Sequence, residues 1–294
     1  MSNGPTACAS CGGQNLNRRY ALRPFDVYEC GTCGLRARHP LPTPSELTAM
    51  YEADAYHASA YFQDGRTAGH GDGPEIAIYR RGLDDLARIV PPGRLLDVGC
   101  GNGVFLDLAR EAGWQGSGVE LSTRHVATAA ERYALEVWHG DLLQAPFDNG
   151  SFNAIAMWDL LEHVVDPVAV LRRARQLLAP GGALLVFTID TTSLFNLVGD
   201  LLYRASGRRA VRAIELLYDG RHNYFFTRNS LHRLLDGSGF MVKQWRGDRA
   251  YLGRWLAEPA PWYLVAGGMV LDRLSFALQR PYRQTAICQV DGAP

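Results

Sequence analysis

The run Leu95-Leu96-Asp97-Val98, broken by Gly99-Cys100-Gly101-Asn102-Gly103 and resumed by Val104-Phe105-Leu106, constrains this chain more than any other stretch. An apolar strand carrying one acid ends in three alternate glycines, and a helical pattern follows. Such a strand–turn–helix belongs in an α/β sheet, because glycine lets a ligand approach bare backbone N–H groups at a helix N-terminus. A dinucleotide fingerprint would need its third glycine where Val104 stands, so the spacing is G-x-G-x-G rather than G-x-G-x-x-G. Asp97 points the same way: a carboxylate at a strand tip repels a pyrophosphate and suits a cationic group such as an ammonium.

Further elements follow in order. Gly116 to Ser122 reads as a second strand ending at Glu120, about one βαβ unit on, where a carboxylate could hold both ribose hydroxyls. Leu135 to Leu142 reads as a third strand ending at Asp141, and Phe152 to Trp158 as a fourth. The fourth runs into Asp159-Leu160-Leu161-Glu162-His163-Val164-Val165-Asp166-Pro167. A helix to Leu178, the turn Ala179-Pro180-Gly181-Gly182 and a strand from Ala183 to Ile189 complete the series.

This ordered set over about residues 91–190 resembles the class I S-adenosylmethionine (SAM) dependent methyltransferases. Leu95–Leu106 matches their first motif, and Leu161-Glu162-His163 is close to their "LEH" signature. The resemblance implies a doubly wound, Rossmann-like α/β sheet of seven strands in the order 3-2-1-4-5-7-6. It implies SAM as cofactor, held by Asp97, Gly99, Gly101, Glu120, Leu121, Asp141, Leu142 and Trp158, with Asp141 facing the adenine amino group.

The cysteines carry a second message. Cys8-x-x-Cys11 and Cys30-x-x-Cys33 are separated by eighteen residues, a spacing that suits a four-thiolate zinc site. A glycine after each pair (Gly12, Gly34) allows the knuckle turn that aims two sulfurs at one ion. Four thiolates leave no open position, so Zn2+ here is expected to fold the N-terminus rather than activate water. Cys100 and Cys288 are expected to be small buried residues. The exit from the ribbon, through Pro40, Pro42 and Pro44 to Tyr51 and Tyr61-Phe62, resembles bacterial methyltransferases of surface-polysaccharide and secondary-metabolite pathways that begin with a zinc ribbon.

The expected organisation is a zinc ribbon over 1–45, a linker and helical lid over 46–90, and a methyltransferase domain over 91–294. Ser45 is expected to cap the first helix, and Asn229-Ser230 a later one. Tyr56 and Tyr61 in the lid are candidates for contact with cofactor or substrate. Insertions at about 193–226 and 248–283 are expected to roof the acceptor. Phe195, Tyr203, Tyr224 and Trp262 would offer it apolar faces, and Arg204, Arg208, Arg209, Arg212 and Arg221 would pair an anionic group. The apolar stretch Trp262–Leu271 is read as a helix over the substrate mouth or at a homodimer interface, with peripheral membrane contact as the alternative.

Thirty basic and thirty acidic residues cancel, so nothing suggests a nucleic-acid footprint. With no signal pattern or spanning segment in the sequence, a cytoplasmic enzyme is expected. Methyl transfer to an alcohol or amine needs a base for the acceptor proton, and His222 and His163 are the candidate catalytic residues. The expected reaction is O-methylation of a small molecule, anionic or nucleotide-linked acceptors included: a sugar, nucleotide-linked sugar or secondary-metabolite hydroxyl. Alternatives are C-methylation of a nucleotide-linked keto-sugar, RNA methylation, and a non-catalytic SAM-binding protein.

Overall fold

The computed structural model describes residues 4–53, 74–209, 211–218, 220–250 and 262–290. Tyr56 and Tyr61 lie outside them, and so does the side chain of Trp262.

The catalytic sheet is built from β4 (Arg94–Val98), β5 (Gln115–Glu120), β6 (Val137–His139), β7 (Phe152–Trp158), β8 (Leu178–Ile189), β10 (Phe240–Asp248) and β11 (Arg283–Val290). Their spatial order is β10-β11-β8-β7-β4-β5-β6. Numbered within the sheet this is 3-2-1-4-5-7-6 reversed, as expected. β4, β5, β6, β7 and β8 are mutually parallel, and β11 runs antiparallel between β8 and β10. The central strands β4, β7 and β8 are almost wholly buried, which explains their continuous apolar reading. β8 starts at Leu178, so the glycines expected to form a turn before it belong to the strand.

Helices cover both faces. On one side α2 (Pro74–Ile89) and α3 (Val104–Glu111) pack Ile78, Leu86, Phe105 and Leu106 against the sheet. On the other, α5 (Pro167–Leu177) and α8 (Arg228–Gly237) contribute Leu171, Ala174, Leu231 and Leu234. The remaining helices are α1 (Pro44–Glu52), α4 (Thr123–Tyr133), α6 (Leu194–Ala205), α7 (Val211–Glu215) and α9 (Trp262–Ala277). Two caps differ from expectation. Thr43, not Ser45, caps α1 in a capping box with Glu46, and Thr227 caps α8 with Ser230 as its reciprocal partner. In both, the side chain that fits is the one three residues before its partner.

The N-terminal strands β1 (Leu16–Ala21), β2 (Asp26–Cys30) and β3 (Arg36–His39) form an antiparallel sheet that gains a fourth strand, β9 (Tyr224–Phe225), from far along the chain. β9 pairs with β3 in the register Arg36↔Phe225 and Ala37↔Tyr224. Phe25, Val27 and Tyr20 then bury against Phe195, Tyr203, Ile214 and Tyr218 of the insertion. Phe195, Tyr203 and Tyr224 were expected to face an acceptor. They are instead buried in the core, because the ribbon sheet fills the space behind them.

The glycine turn depends on one close approach. A Cβ on Gly118 would lie 2.6 Å from Cys100 Sγ and 3.0 Å from Leu106 Cδ1, both buried. Gly118→Ala should therefore lower stability by about 1–3 kcal/mol through overpacking. The double variant with Cys100→Ala should recover a substantial part of the loss in urea unfolding, whereas simple additivity would refute the contact.

Candidate functional site

The site forms at the C-terminal edge of the parallel strands, where an α/β sheet binds its ligands. Asp97 lies one residue from the end of β4 and is almost completely buried. Its Oδ1 has no hydrogen-bond partner, and burial, followed by the nearby Glu120 charge, pushes the carboxyl well above its ordinary range. Glu120 ends β5 and spans the turn: Gly101 N–H and Ser122 N–H each donate to its carboxylate at 2.8 Å. Burial raises this carboxyl, and those two amides oppose the rise.

Gly101 (φ 52°) has open space where a Cβ would stand, so bare backbone faces outward at the turn. Gly103 (φ 87°) begins α3 with no side chain capping the exposed amides. A buried orphan carboxylate beside uncapped N–H groups fits a ligand with both a cationic and an anionic end, as the methionyl part of SAM has.

Asp141 is exposed and accepts from Leu143 N at 2.8 Å, while Leu142 is buried beside it. Leu121 lies next to Glu120, and its carbonyl meets His139 Nε2 at 3.1 Å. Trp158 is drawn inward, with ring centroids 4.7 Å from Tyr79 and 5.2 Å from both Phe105 and Phe187. It ends β7 at the same edge but packs α2 and α3 onto the sheet. The linker helix α1 reaches this edge as well. Glu52 accepts from the backbone N and Oγ1 of Thr123, both at 2.9 Å, and the Tyr51 ring lies 6.5 Å from that of His163.

The two candidate bases meet, although 58 residues separate them in sequence. The rings of His163 and His222 stand 4.6 Å apart, edge to face. A latch holds them there. Asn223 N and Tyr224 N donate to Glu162 O at 2.7 and 3.0 Å, Asn223 Nδ2 donates to His163 O, and Tyr224 Oη donates to Val165 O at 2.8 Å. His163 Nδ1 lies 3.1 Å from Arg221 O. A carbonyl only accepts, so Nδ1 is the donor in this contact.

Glu162 is completely buried, and neither carboxylate oxygen finds a partner within normal hydrogen-bond geometry. Burial, then the Asp159 charge, pushes it up to about 8. Asp159 adopts a left-handed backbone (φ 46°) and pairs with Arg283. Glu162, His163 and His222 can bring one donor atom each within 4.8 Å of one another, close enough to share a divalent cation. Glu162 was part of the LEH resemblance but carried no role in the sequence reading. Its signal is a burial that only the folded chain reveals.

The four N-terminal cysteines form a separate cluster, with all four sulfurs within 4.8 Å of one another. Cys8 Sγ–Cys33 Sγ is 3.5 Å and Cys11 Sγ–Cys30 Sγ is 3.7 Å. Those distances are far beyond the ~2.05 Å of a disulfide and close to the ~3.8 Å tetrahedral edge that Zn–S bonds of about 2.3 Å require. The Cys33 thiol is lowered to about 5, chiefly by its contact with Cys8, while Cys8 is pushed strongly up. Sulfurs this crowded cannot all ionise without a cation. Gly12 and Gly34 take positive φ at the two knuckles, as their positions suggest.

Sheet order, glycine turn and buried acids together define a class I SAM-dependent methyltransferase. The chain belongs to the methyltransferase-domain family, whose model matches residues 75–244. It is 31% identical over 203 residues to a ubiquinone biosynthesis O-methyltransferase of Xanthomonas campestris pv. campestris, covering 62% of this chain and 81% of that protein. It is 30% identical over 161 residues to one from Psychrobacter arcticus, covering 50% and 58%. Among solved structures, a SAM-dependent methyltransferase from Archaeoglobus fulgidus superposes with TM-score 0.54 at 16% identity, covering 79% of this chain and 100% of that one. The [4+2]-cyclase SpnF superposes with TM-score 0.56 at 18% identity, covering 85% and 97%. These structural likenesses concern the fold.

The Glu162 carboxyl yields a pH signature. In the unfolded chain it ionises near 4.5, and in the folded chain only near 8. Between those values unfolding releases a proton, so this group makes stability fall as pH rises. Without added divalent ions, Glu162→Gln should gain melting temperature over the parent on going from pH 5 to pH 8. A constant difference across that range would show that Glu162 ionises normally in the fold.

Proposed function

We propose that this enzyme methylates a hydroxyl oxygen of a small molecule, with His163 as the general base and His222 packed against its ring. The observation that carries this reading is the 3.1 Å contact of His163 Nδ1 with Arg221 O, which engages Nδ1 as a donor and so assigns the base role to Nε2. The relatives named above are O-methyltransferases, which favours oxygen over carbon as the acceptor atom. A sugar, nucleotide-linked sugar or secondary-metabolite hydroxyl is the proposed acceptor class.

Bound SAM supplies a methyl group on a sulfonium, so the protein's task is to align donor with acceptor and exclude water. Asp97 would face the ammonium, with the bare amides of Gly101 and the start of α3 nearby. Glu120 would accept the ribose hydroxyls, while Leu121, Asp141 and Leu142 would border the adenine. Gly99 lets the chain turn here in a left-handed conformation (φ 75°), and Trp158 would support the pocket from within. On the acceptor side, the hydroxyl proton would pass to His163 Nε2 as the oxygen gains the methyl group. Zn2+, held by Cys8, Cys11, Cys30 and Cys33, would keep the ribbon folded and take no part in the chemistry.

A second reading rests on the cluster of Glu162, His163 and His222: a divalent cation there would lower the acceptor's pKa instead. Turnover stimulated by added Mg2+ or Mn2+, with S-adenosylhomocysteine affinity unchanged, would favour the cation over the free imidazole.

The two halves of the site are separable by calorimetry and turnover. Glu120→Ala should weaken S-adenosylhomocysteine binding by about 1–3 kcal/mol through lost charge-assisted bonds. His163→Ala and His222→Ala should leave that affinity intact and depress methyl transfer. Unchanged binding in Glu120→Ala would remove Glu120 from the cofactor site. Full activity in His163→Ala would remove the base.

A further inference from the structure

Helices α6 and α9 each present a row of apolar side chains outward. On α6, Leu194, Leu197, Val198, Leu201, Leu202 and Ala205 recur at the spacing of one helical stripe. Leu197, Leu201 and Leu202 in that stripe are 51%, 65% and 52% exposed. The opposite side, with Phe195, Asn196, Gly199 and Tyr203, is buried, and Asp200 pairs with Arg19, Tyr20 and, one turn along the helix, Arg204. On α9, Ala266, Met269, Val270, Arg273, Leu274 and Ala277 form the same kind of outward stripe, interrupted by one arginine. Its polar residues face the protein: buried Asp272 accepts from Arg249 Nε and Ala250 N, and buried Ser275 bonds Leu194 N and Arg280 O. The two helices pack against each other, and they join the sheet at neighbouring strand ends, where Asp190 N donates to Tyr282 O at 2.7 Å.

Solvent is a poor explanation for two adjoining helices that turn their acids to protein partners and present leucine outward. The charges nearby decide what does explain them. Arg204, Arg208, Arg209, Arg212, Arg273 and Arg280 are all exposed on these segments. Among the described residues of 194–218 and 262–280, Glu215 is the one exposed acid against them. A second copy docked here would bring the same excess of arginines with one exposed acid among the described residues of the face to receive them. An anionic lipid surface has the complementary charge and takes apolar side chains into its headgroup boundary.

We propose that the outward face of α6 and α9 docks this enzyme on anionic lipid bilayers. Leu197, Leu201, Leu202, Met269, Val270 and Leu274 enter the interface, and the surrounding arginines pair with lipid phosphates. The contact is peripheral, since no helix among the described residues is long and apolar enough to cross a membrane. Both helices join the sheet at the C-terminal end of β8, so docking brings the acceptor side of the enzyme to the membrane surface. The inference does not depend on which group the enzyme methylates.

Flotation of the full chain with vesicles tests it. Vesicles of phosphatidylcholine with phosphatidylglycerol should carry the protein at low salt, and pure phosphatidylcholine should carry much less. The exposed double variant Leu201→Ser/Leu274→Ser should lose about tenfold in vesicle affinity, and Arg208→Ala/Arg209→Ala should lose several-fold in a salt-dependent way. Neither should alter S-adenosylhomocysteine binding, which reports that the fold is intact. Failure to float with anionic vesicles, or equal flotation of parent and leucine variant, would overturn the proposal. So would a dimer in solution that the leucine variant dissociates, because a second copy would then cover the face.

Discussion

The two-residue pairing of β3 with β9 is the interaction on which the acceptor half of this molecule depends. Arg36↔Phe225 and Ala37↔Tyr224 join an N-terminal ribbon to a segment almost two hundred residues later. The next residues of that segment are tied to the ribbon's second knuckle: Thr227 Oγ1 and Asn229 Nδ2 donate to Cys33 O at 3.1 and 3.0 Å. The preceding residues hold the loop after β7 through Asn223 and Tyr224. So short a strand is not stable alone. It persists because Tyr224 and Phe225 are buried in separate clusters on its two faces, while its backbone is bonded to β3 and to Glu162 O. The ribbon therefore acts as a wall of the catalytic unit that positions His222 against His163.

The cofactor half follows a different logic. It rests on backbone conformation and on two carboxylates whose burial is unfavourable unless something cationic or hydrogen-bonding meets them. Glu120 is satisfied by the turn's own amides, so it organises the loop before any ligand arrives. Asp97 is left with an unsatisfied oxygen. A site arranged this way is preorganised for its ligand, and the strain sits in the side chain that the ligand would relieve.

Much of this was legible in the residues. The glycine turn, the acids at successive strand ends and the cysteine spacing depend on local geometry, and each was readable to within a residue or two. The sheet order came by resemblance and agrees. What escaped the sequence is long-range. Nothing local marks Tyr224-Phe225 as a strand of the ribbon sheet, and Phe195 and Tyr203 read as pocket residues because a buried aromatic and a ligand-facing one look alike in sequence. Glu162 gained its meaning only from complete burial. The contact of His163 with His222 arises from a latch of long-range bonds, two from backbone amides and two from the side chains of Asn223 and Tyr224, whose partners no local pattern marks. Trp158 illustrates the converse, since its position at a strand end is right while its ring turns into the core.

Hydrogen exchange before and after treatment with a zinc chelator tests the central claim, that the ribbon holds the acceptor side in place. The amides of Asn223 and Tyr224, bonded to Glu162 O, and of Gly99 and Cys100, bonded to Val119 O, are the reporters. Removal of the zinc proposed at Cys8, Cys11, Cys30 and Cys33 by a chelator should deprotect Asn223 and Tyr224 and leave Gly99 and Cys100 protected. Unchanged protection at 223–224, or equal loss at both places, would contradict the account.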